Sequence, residues 1–381
     1  MSPFAAHRFL TRAALSAVNV FSWLFIFQYF FVLSGTVLSA LVATACSYAL
    51  AQTVAILVTP YTARRLRHGI RGMLVNALLA LSASYAILAI GFSGKLGSVP
   101  LAIVLFAIAM GLYRALYWIP YELAAKKHAR SRNIDIALAF IPAVSGFLMT
   151  LSPSAPLMVL AVASILALIA IVPVYMFKNT HEGFSWRYRE TFHHLFTHSH
   201  RRPLVQAICN GFEGAALLLL WPIAVLVLLK WSYAALGLVL TATYLCTIFA
   251  RSLIAKYHKH TERPVVLSVL TITGWMLRGT VAAPLSIILV DTYYQSGSGI
   301  SQRGVDLLTS EQTADSNSYV DEFTALKDMG QGIGRIAFCL LIIALAPFFA
   351  FPVLALVLFF VTAIVAVYSI AVARVSTKHA F

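Results

Sequence analysis

The sequence has few charged residues and few cysteines. Of its 381 residues only 11% are charged, whereas 60% are hydrophobic. A soluble globular protein contains about 25% charged and about 45–50% apolar residues. The four cysteines all lie inside apolar segments and lack the spacing of a metal site. These shortages exclude an ordinary cytosolic enzyme, a disordered chain and a disulfide-rich secreted module, and they favour a membrane protein.

Acidic residues are also scarce. The chain contains 13 Asp and Glu against 28 Lys and Arg, so its formal net charge is +15. The basic residues concentrate between long apolar runs, in four segments at 64–71, 126–132, 178–202 and 251–263. Alternation of basic and neutral loops is typical of a polytopic protein that is oriented in a lipid bilayer. We therefore expect the bilayer as the partner of this chain, and no nucleic acid.

Glycine, proline and charged residues divide the apolar runs into candidate membrane spans of about 20 residues each. The twelve spans lie at 13–33, 38–58, 72–92, 100–125, 135–152, 155–177, 203–229, 232–255, 264–277, 281–297, 329–346 and 350–373. They predict an all-α polytopic membrane protein with 12 transmembrane helices in two six-helix bundles. The bundles cover residues 1–177 and 203–381, and a central cytoplasmic loop at 178–202 joins them.

The loops predict the topology. An even number of spans puts both termini on one side, and the basic loops make that side cytoplasmic. Lys95, Lys230 and Arg278 then lie on the outer side of the membrane, opposite the cytoplasm. Arg8 and Arg12 precede an apolar stretch as in a signal peptide, but the hydrophobic run is too long for a cleaved signal. We therefore expect these first helices to be retained.

The two halves resemble each other. A shift of 192 residues places Arg64 on Lys256 and Arg71 on Arg263, and half of the chain length is 190.5 residues. Any chain of twelve spans with basic inner loops would reproduce part of this match. Two homologous bundles are nevertheless a common plan for transporters, so the match agrees with that plan.

Four motifs, in their order along the chain, resemble a bacterial branch of the major facilitator superfamily of secondary transporters. They are Tyr117-Trp118-Ile119-Pro120-Tyr121, Phe184-Ser185-Trp186-Arg187-Tyr188-Arg189-Glu190-Thr191-Phe192, Trp221-Pro222 and Gly334-Arg335. The resemblance covers essentially the whole chain. It implies alternating access around a central cavity lined by spans 1, 4, 7 and 10. It also implies a location in the plasma (inner) membrane, and a monomer is the default for this architecture.

The chain departs from the best-known motif of that superfamily, Gly-x-x-x-Asp-Arg-x-Gly-Arg-Arg between spans two and three. Here the region contains Gly69 and several basic residues but no Asp. If the Asp of the family holds one conformation, that contact is missing or rebuilt in this chain. We expect Arg64 and Arg71 of this loop, and Arg335 in span eleven, to act in conformational gating.

Candidate solute-binding side chains lie on the spans that the resemblance assigns to the cavity. They are Asn19 and Trp23 in span 1, Arg114, Tyr117, Trp118 and Tyr121 in span 4, Asn210 in span 7 and Tyr294 in span 10. The four side chains of span 4 share one helical face. A guanidinium beside aromatic rings suits an anionic or aromatic small solute. Alternatively, Arg114 neutralises a carboxylate, and the aromatic and polar groups pack between helices.

Two carboxylates lie deep in predicted spans. Glu213 follows Pro203 by ten residues, which is about 15 Å along a helix and half of a core about 30 Å thick. Asp291 is similarly placed in span 10. Ionisable groups inside a bilayer commonly belong to ion or proton pathways. We therefore expect Glu213 and Asp291 to be the candidates for proton coupling.

Other motifs indicate no enzyme, cofactor or metal. Four histidines in the central loop lack further ligands, so a solvated surface segment explains them better than a metal site. They are His193, His194, His198 and His200. Gly330 and Gly334 precede Arg335 as in a nucleotide-binding loop, but no strand comes before them. We expect these glycines to form a close helix contact.

These observations predict a secondary active transporter that moves a small solute by alternating access, with proton coupling as an option. The alternative is a receptor or membrane assembly scaffold that has a transporter fold and no solute flux. The absence of the loop Asp favours that alternative. A membrane enzyme would need a catalytic cluster near one interface, and the sequence contains none.

Overall fold

The computed structural model describes residues 2–125, 132–152, 154–181, 184, 186–195, 201–257, 264–301 and 320–378. All regular structure in these segments is helical. The N-terminal half contains α1 (Pro3–Ser34), α2 (Val37–Arg65), α3 (Ile70–Phe92), α4 (Val99–Ala125), α5 (Arg132–Ala139), α6 (Ile141–Leu148), α7 (Ala155–Ile169) and α8 (Ile171–Val174). After α9 (Tyr188–Leu195), the C-terminal half contains α10 (Arg201–Ala215), α11 (Trp221–Leu228), α12 (Tyr233–Tyr257), α13 (Pro264–Arg278), α14 (Pro284–Ser301), α15 (Val320–Leu345) and α16 (Phe351–Lys378).

Within the described segments, nine helices are long and apolar enough to cross a membrane. The predicted spans at 135–152, 264–277 and 281–297 coincide with α5–α6, α13 and α14, which are not among those nine. The chain is therefore an all-helical, multi-pass membrane protein, while the count of twelve spans stays a prediction. His198, His200 and residues 302–319 of the acidic loop lie outside the described residues.

The outer surface of the helices is apolar. Val162 of α7, Leu238 of α12 and Phe360 of α16 are all more than half exposed. Large exposed apolar areas are rare on soluble monomers, whereas lipid tails cover them in a membrane. This surface agrees with the multi-pass assignment.

Local sequence explains where several helices break. Gly35 has a φ of 70° and donates its backbone N–H to Phe31 O, so it ends α1 as a left-handed cap. Thr36 then caps α2 through its side chain. Pro222 has no N–H to donate, and a π-helical turn, Ala216–Leu220, precedes it between α10 and α11.

Two helices begin well before their predicted spans. Residues 3–12 belong to α1, where the sequence predicted a start at 13, and residues 320–328 belong to α15, where it predicted a start at 329. His7, Arg8 and Arg12 of the first extension are buried. Arg8 and Arg12 lie 3.5 and 3.4 Å from the carboxylate of Asp135. Because hydropathy locates only apolar segments, it does not detect helical turns that polar contacts stabilise.

The most extensive contacts between the halves are those of α2 with α15 and of α6 with α12. Both contacts depend on glycine. A Cβ on Gly146 of α6 would lie 2.4 Å from Tyr233 O, and one on Gly237 of α12 would lie 2.3 Å from Pro142 O. A Cβ on Gly332 of α15 would lie 2.7 Å from the Ile56 side chain of α2. Small residues thus let these helices approach closely.

Within the C-terminal half, α15 packs tightly on α10. A Cβ on Gly334 would lie 1.9 Å from Ile208 O, and one on Gly330 would lie 2.9 Å from the Leu204 side chain. Gly334 has no room for a larger residue unless the backbone moves, whereas at Gly330 the Leu204 side chain would have to shift. The prediction of a close helix contact at Gly330 and Gly334 is confirmed.

The two halves also meet at both ends of the helices. At the α1–α2 end, which carries the turn at 35–36, Trp231 stacks on Phe27 and Phe31 with centroid distances of 5.7 and 4.5 Å. Trp231 and its neighbour Lys230 have φ values of 65° and 53°, which side-chain-bearing residues seldom adopt. The stacking helps to hold this strained turn.

At the α2–α3 end, which carries the turn at 66–69, Ala325 of α15 is fully buried among residues of the N-terminal half. These residues are Ala63, Leu66, Ile70, Met73 and Ile119. The helix α9 also contacts both α2 and α15 at this end. The space between the halves is therefore bridged at both ends.

Candidate functional site

A small cavity lies among α1, α2 and α4, and Leu218 of the π-helical turn faces it from the C-terminal half. The volume of the cavity is about 30 Å³, which is room for about two water molecules. Its lining residues are Leu15, Asn19, Trp23, Tyr48, Gln52, Met110, Tyr113, Arg114, Trp118 and Leu218. Four of the predicted solute-binding residues therefore line one space, namely Asn19, Trp23, Arg114 and Trp118.

Arg114 and Trp118 contribute two kinds of hydrogen-bond donor, a guanidinium and an indole N–H, to the side of the cavity that α4 forms. They are four residues apart and both contribute to the lining. The Trp118 side chain is 6% exposed, and its Nε1 has no hydrogen-bond partner among the described atoms. An indole N–H can only donate, so this group needs an acceptor.

Gln52 connects the cavity with the other half. It lines the space from α2, is 1% exposed, and accepts a hydrogen bond of 3.4 Å from Arg335 Nη1 of α15. Arg335 also donates to Gln331 Oε1 at 3.4 Å. The predicted gating residue Arg335 thus reaches the wall of the cavity through Gln52, at the contact between α2 and α15.

Tyr117 and Tyr121 lie outside the cavity lining, although the sequence places them on the face of Arg114. Tyr117 stacks on Tyr121 at 5.1 Å, and its hydroxyl lies 3.2 Å from His7 Nε2. The other ring nitrogen of His7 lies 3.1 Å from Ala170 O, and Phe4 stacks on Tyr121. This aromatic cluster joins α1, α4 and the junction of α7 and α8 at Ala170, which agrees with the packing alternative for these two residues.

A second charged site lies in the C-terminal half, around Arg278 and Asp291. Arg278 Nη2 donates to Asp291 Oδ1 at 2.8 Å, and Trp221 Nε1 donates to Asp291 Oδ2 at 2.8 Å. Rings of Trp221, Trp275 and Tyr294 surround the guanidinium, with centroids 4.2 to 5.1 Å from it. The Arg278 side chain is fully buried, while its place on the outer side of the membrane stays a prediction. The buried carboxylate and the aromatic faces compensate the cost of burial.

Glu213 lies beside this site and has different partners. Its Oε1 accepts hydrogen bonds from Trp275 Nε1, at 3.0 Å, and from the hydroxyl of Tyr294. The predicted residue Tyr294 therefore connects the two carboxylates, since its ring faces Arg278 and its hydroxyl binds Glu213. Both predicted proton-coupling residues have hydrogen-bond partners within the C-terminal half.

Asn210 is oriented toward a neighbouring helix. Its Oδ1 accepts a hydrogen bond of 2.7 Å from Ser369 Oγ of α16. This contact joins α10 to α16, which agrees with the alternative that polar groups hold helices together.

The basic loop after α2 contacts the beginning of the central loop. Arg71 Nη2 donates to Phe177 O at 2.5 Å, and Arg71 N donates to Asn179 Oδ1 at 3.2 Å. Gly69, with a φ of 100°, allows Asn179 to come so close that a Cβ would lie 2.3 Å from it. Arg64, in contrast, is exposed. Arg71 therefore anchors residues 177–179 within the N-terminal half.

The central-loop motif forms a capped helix. The carboxylate of Glu190 accepts the backbone N–H of Arg187 at 2.7 Å, and Thr191 Oγ1 donates to Arg187 O. The contact of Glu190 is typical of a helix N-terminus, where a side chain three residues on accepts the backbone N–H of the capping residue. Tyr188 then donates to Leu57 O of α2 at 3.1 Å. The motif therefore positions α9 against α2.

Sequence reasoning missed Gln52, Tyr48, Tyr113 and Trp275. Gln52 gave a usable signal, because it is the only residue between 38 and 58 with an amide or charged side chain. Amide side chains in a bilayer tend to contact a partner helix or a cavity. Trp275 and the two tyrosines gave no comparable signal, since aromatic residues are frequent throughout these helices.

Comparison with solved structures identifies the class of fold. The D-xylose–proton symporter superposes with a TM-score of 0.64 at 14% identity, over 95% of this chain and 94% of that chain. A POT family transporter in complex with 5-aminolevulinic acid gives 0.63 at 11% identity, over 98% and 95%. The human organic anion transporter MFSD10 (TETRAN) gives 0.59 at 13% identity, over 97% of both chains. The chain therefore shares the fold of these multi-pass solute transporters over nearly its whole length.

No protein-family model matches the chain, and no curated protein matches it in sequence.

Proposed function

We propose that this chain is a secondary active transporter that moves a small solute across the membrane by alternating access. Its twelve spans form two six-helix bundles, residues 1–177 and 203–381, joined by the cytoplasmic loop 178–202. It works as a monomer in the plasma (inner) membrane with both termini in the cytoplasm. The fold shared with solute transporters supports this proposal, and the basic loops support the orientation.

The observation that carries the proposal is the polar cavity among α1, α2 and α4, which Leu218 of the other half also lines. Arg114, Gln52 and Asn19 bring a charge and two amides to a space whose other lining residues are aromatic or aliphatic. Polar groups in a membrane interior are costly and commonly mark a solute or ion pathway. The cavity is the place where the transported solute binds in this proposal.

Alternating access requires contacts between the halves that open on one side of the membrane at a time. The stacking of Trp231 on Phe27 and Phe31 closes the outer end of the space between the halves. The packing of Ala325 against the N-terminal half closes its inner end. A solute enters when one of these two sets of contacts separates. The glycine contacts α2–α15 and α6–α12 serve as the surfaces about which the bundles rock.

Glu213 and Asp291 are the proposed proton-coupling residues. Asp291 is ion-paired with Arg278, whereas Glu213 is held by neutral donors, Trp275 and Tyr294. A carboxyl with neutral partners can take up a proton without leaving a buried cation unpaired. Glu213 is therefore the stronger candidate for the residue that loads and releases the proton.

The experiment is solute uptake by purified protein in liposomes. A panel of labelled amino acids, sugars, organic acids and nucleosides is offered at pH 5.5 and 7.5, with empty liposomes as the blank. We expect saturable uptake of at least one small solute, lost in Arg114→Gln and kept in Arg189→Gln. Arg189 is a suitable control because it is an exposed arginine of the central loop.

A folded protein that moves no member of the panel contradicts the transporter proposal. That result favours the second candidate function, a receptor or assembly scaffold. The small volume of the cavity and the absence of the loop Asp favour this second candidate.

A further inference from the structure

We propose that the α2–α3 end of the protein binds the headgroup of an anionic phospholipid through Arg64 and Arg65 of α2. The lipid belongs to the surrounding bilayer, and one of its acyl chains lies along the exposed face of α2. This site is separate from the solute cavity, so the inference goes beyond the proposed transport function and does not depend on it.

The exposed residues in the second half of α2 form one stripe. Thr53, Leu57 and Tyr61 are exposed and follow each other at intervals of four residues. Arg64 and Arg65 are also exposed and continue the stripe to the end of the helix. The order along the stripe, from apolar to aromatic to cationic, matches the order of acyl chain, glycerol and phosphate in a phospholipid.

Only this face of α2 is available to a lipid. Ala325 of α15 is buried with Ala63 and Leu66 of α2. Successive residues of a helix are about 100° apart, so Ala63 and Leu66 lie on the side opposite Tyr61 and the two arginines. Protein therefore covers one face of this helical end, while the other carries the cations.

The depth of the arginines agrees with the headgroup layer. The predicted span ends at residue 58, and Arg64 and Arg65 follow it by about 10 Å along the helix. The headgroup layer is about 5–8 Å thick on each side of the hydrocarbon core. Because helical side chains tilt toward the N-terminus of their helix, the two guanidinium groups point back toward the lipid phosphates.

The charge of this end favours an anion. Residues 61–71 contain four arginines and no carboxylate. The ion pairs found in the described part of the chain involve neither Arg64 nor Arg65. On the neighbouring helix α9, the carboxylate of Glu190 accepts the backbone N–H of Arg187. A phosphate can accept two parallel hydrogen bonds from one guanidinium, which makes it a suitable partner for exposed arginines.

Tyr61 orients one of the two arginines. Arg65 Cζ lies 4.8 Å from the centroid of the Tyr61 ring. A guanidinium that stacks on a ring keeps its N–H groups in the plane parallel to that ring, where they can still donate to a phosphate. Tyrosine is also enriched at the boundary between acyl chains and headgroups. Tyr61 is therefore a positioning residue for Arg65.

The helix α9 borders the same stripe. The Tyr188 hydroxyl donates to Leu57 O at 3.1 Å, and its side chain is partly exposed beside Phe192. A lipid that lies along Leu57 therefore meets Tyr188 at its side. This contact adds apolar area for the acyl chain, whereas a free phosphate ion would gain nothing from it.

A lipid with net negative charge fits better than a zwitterionic one or a free phosphate. A zwitterionic headgroup would bring its own ammonium group close to Arg64 and Arg65. A free phosphate would depend on exposed charges alone, and such pairs are weak in water. Basic pockets beside membrane helices commonly bind anionic headgroups for these reasons.

The test measures lipid binding to the delipidated full-length protein in detergent by native mass spectrometry. Dioleoylphosphatidylglycerol is compared with dioleoylphosphatidylcholine, which has the same acyl chains and no net charge. We expect the anionic lipid to bind about tenfold more tightly, since hydrogen bonds to charged groups are the strong ones. Glycerol 3-phosphate and inorganic phosphate, which lack acyl chains, should not displace it.

Variants at exposed positions locate the site. Arg64→Gln combined with Arg65→Gln should remove the preference for the anionic lipid, and the corresponding double lysine variant should keep part of it. Tyr61→Ala should weaken binding several-fold, whereas Tyr61→Phe keeps the ring below Arg65 and should bind normally. Lys95→Gln is the control, because Lys95 is an exposed cation in the turn at the opposite end of α3.

Four outcomes would overturn the inference. The two lipids bind equally well, inorganic phosphate displaces the anionic lipid, the double glutamine variant keeps the full preference, or Lys95→Gln weakens binding as much as Arg65→Gln. A monodisperse elution profile establishes that each variant is folded. Since the readout is lipid binding in detergent, none of these results bears on solute uptake, and the two proposals can fail separately.

Discussion

Arg278 and Asp291 form a buried ion pair, with Nη2 and Oδ1 2.8 Å apart, at the junction of α13 and α14. Arg278 is the last residue of α13, yet its side chain is directed into the protein and is enclosed by Trp221, Trp275 and Tyr294. The pair thereby joins two helices that the sequence separates only by a short turn.

Removing one member of this pair should destabilise the protein more than removing both. Asp291→Asn leaves the Arg278 guanidinium without its counter-ion, and loss of one partner of a buried pair costs about 3–5 kcal/mol. Arg278→Met combined with Asp291→Leu removes both charges and should recover much of the loss. The melting temperatures of Asp291→Asn, Arg278→Met and the double variant in detergent measure this difference in stability. A double variant as unstable as Asp291→Asn would show that the pair contributes through shape and not through charge.

Glu213→Gln should abolish solute accumulation driven by a pH gradient while leaving exchange between equal solute concentrations intact. The amide keeps an acceptor for Trp275 and Tyr294 but cannot bind and release the proton. Gradient-driven uptake and counterflow in the same liposomes measure the two activities. Full gradient-driven uptake by both Glu213→Gln and Asp291→Asn would end the coupling proposal.

Gly146→Ala should disturb the contact between the halves. The new Cβ would lie 2.4 Å from Tyr233 O of α12, a backbone atom that cannot move away without shifting the helix. We expect a fall of several degrees in melting temperature and reduced uptake. Gly72→Ala of α3 is the matched control, because it is also helical and its Cβ would meet nothing within 4 Å. Equal behaviour of the two variants would contradict the close α6–α12 contact.

Gln52→Ala should loosen the contact between α2 and α15. It removes the acceptor of Arg335 Nη1 while leaving the remainder of the helix pair in place. Cys339 of α15 is fully buried, so its rate of labelling by a maleimide reports separation of the helices. In a chain that keeps only this cysteine, we expect labelling several-fold faster in Gln52→Ala. Thr53→Ala, at an exposed neighbour, should label at the original rate, and no difference between the two variants would contradict the role of Gln52.

Much of the fold could be predicted from the sequence, because lipid imposes a simple rule on it. Backbone polar groups in a bilayer must be satisfied within each helix, so a sufficiently long apolar run implies a span. The α1–α2 turn follows from Gly35 and Thr36, and the tight α10–α15 contact follows from Gly330 and Gly334. The polar first turns of α1 and α15 could not be found in this way, since apolar length does not measure them.

The candidate site could be predicted only in part. Helical spacing places four side chains on one face of α4, namely Arg114, Tyr117, Trp118 and Tyr121. That face is wide enough to border both the cavity and the helix α1. Arg114 and Trp118 line the cavity, whereas Tyr117 and Tyr121 pack on His7 and Phe4 of α1. The neighbouring helix decides between these environments, and its position is not encoded in the spacing.

The sequence by itself determined that this is an all-helical membrane protein, because the scarcity of charge and the length of the apolar runs leave no other stable state. It also determined which few side chains carry charge in the membrane. Only the tertiary structure decided which charges meet. Arg278 at the end of α13 pairs with Asp291 of α14, and Arg335 reaches Gln52 in the opposite half. Partner choice depends on distances between helices far apart in the chain, and buried charges hold the partners that this packing supplies.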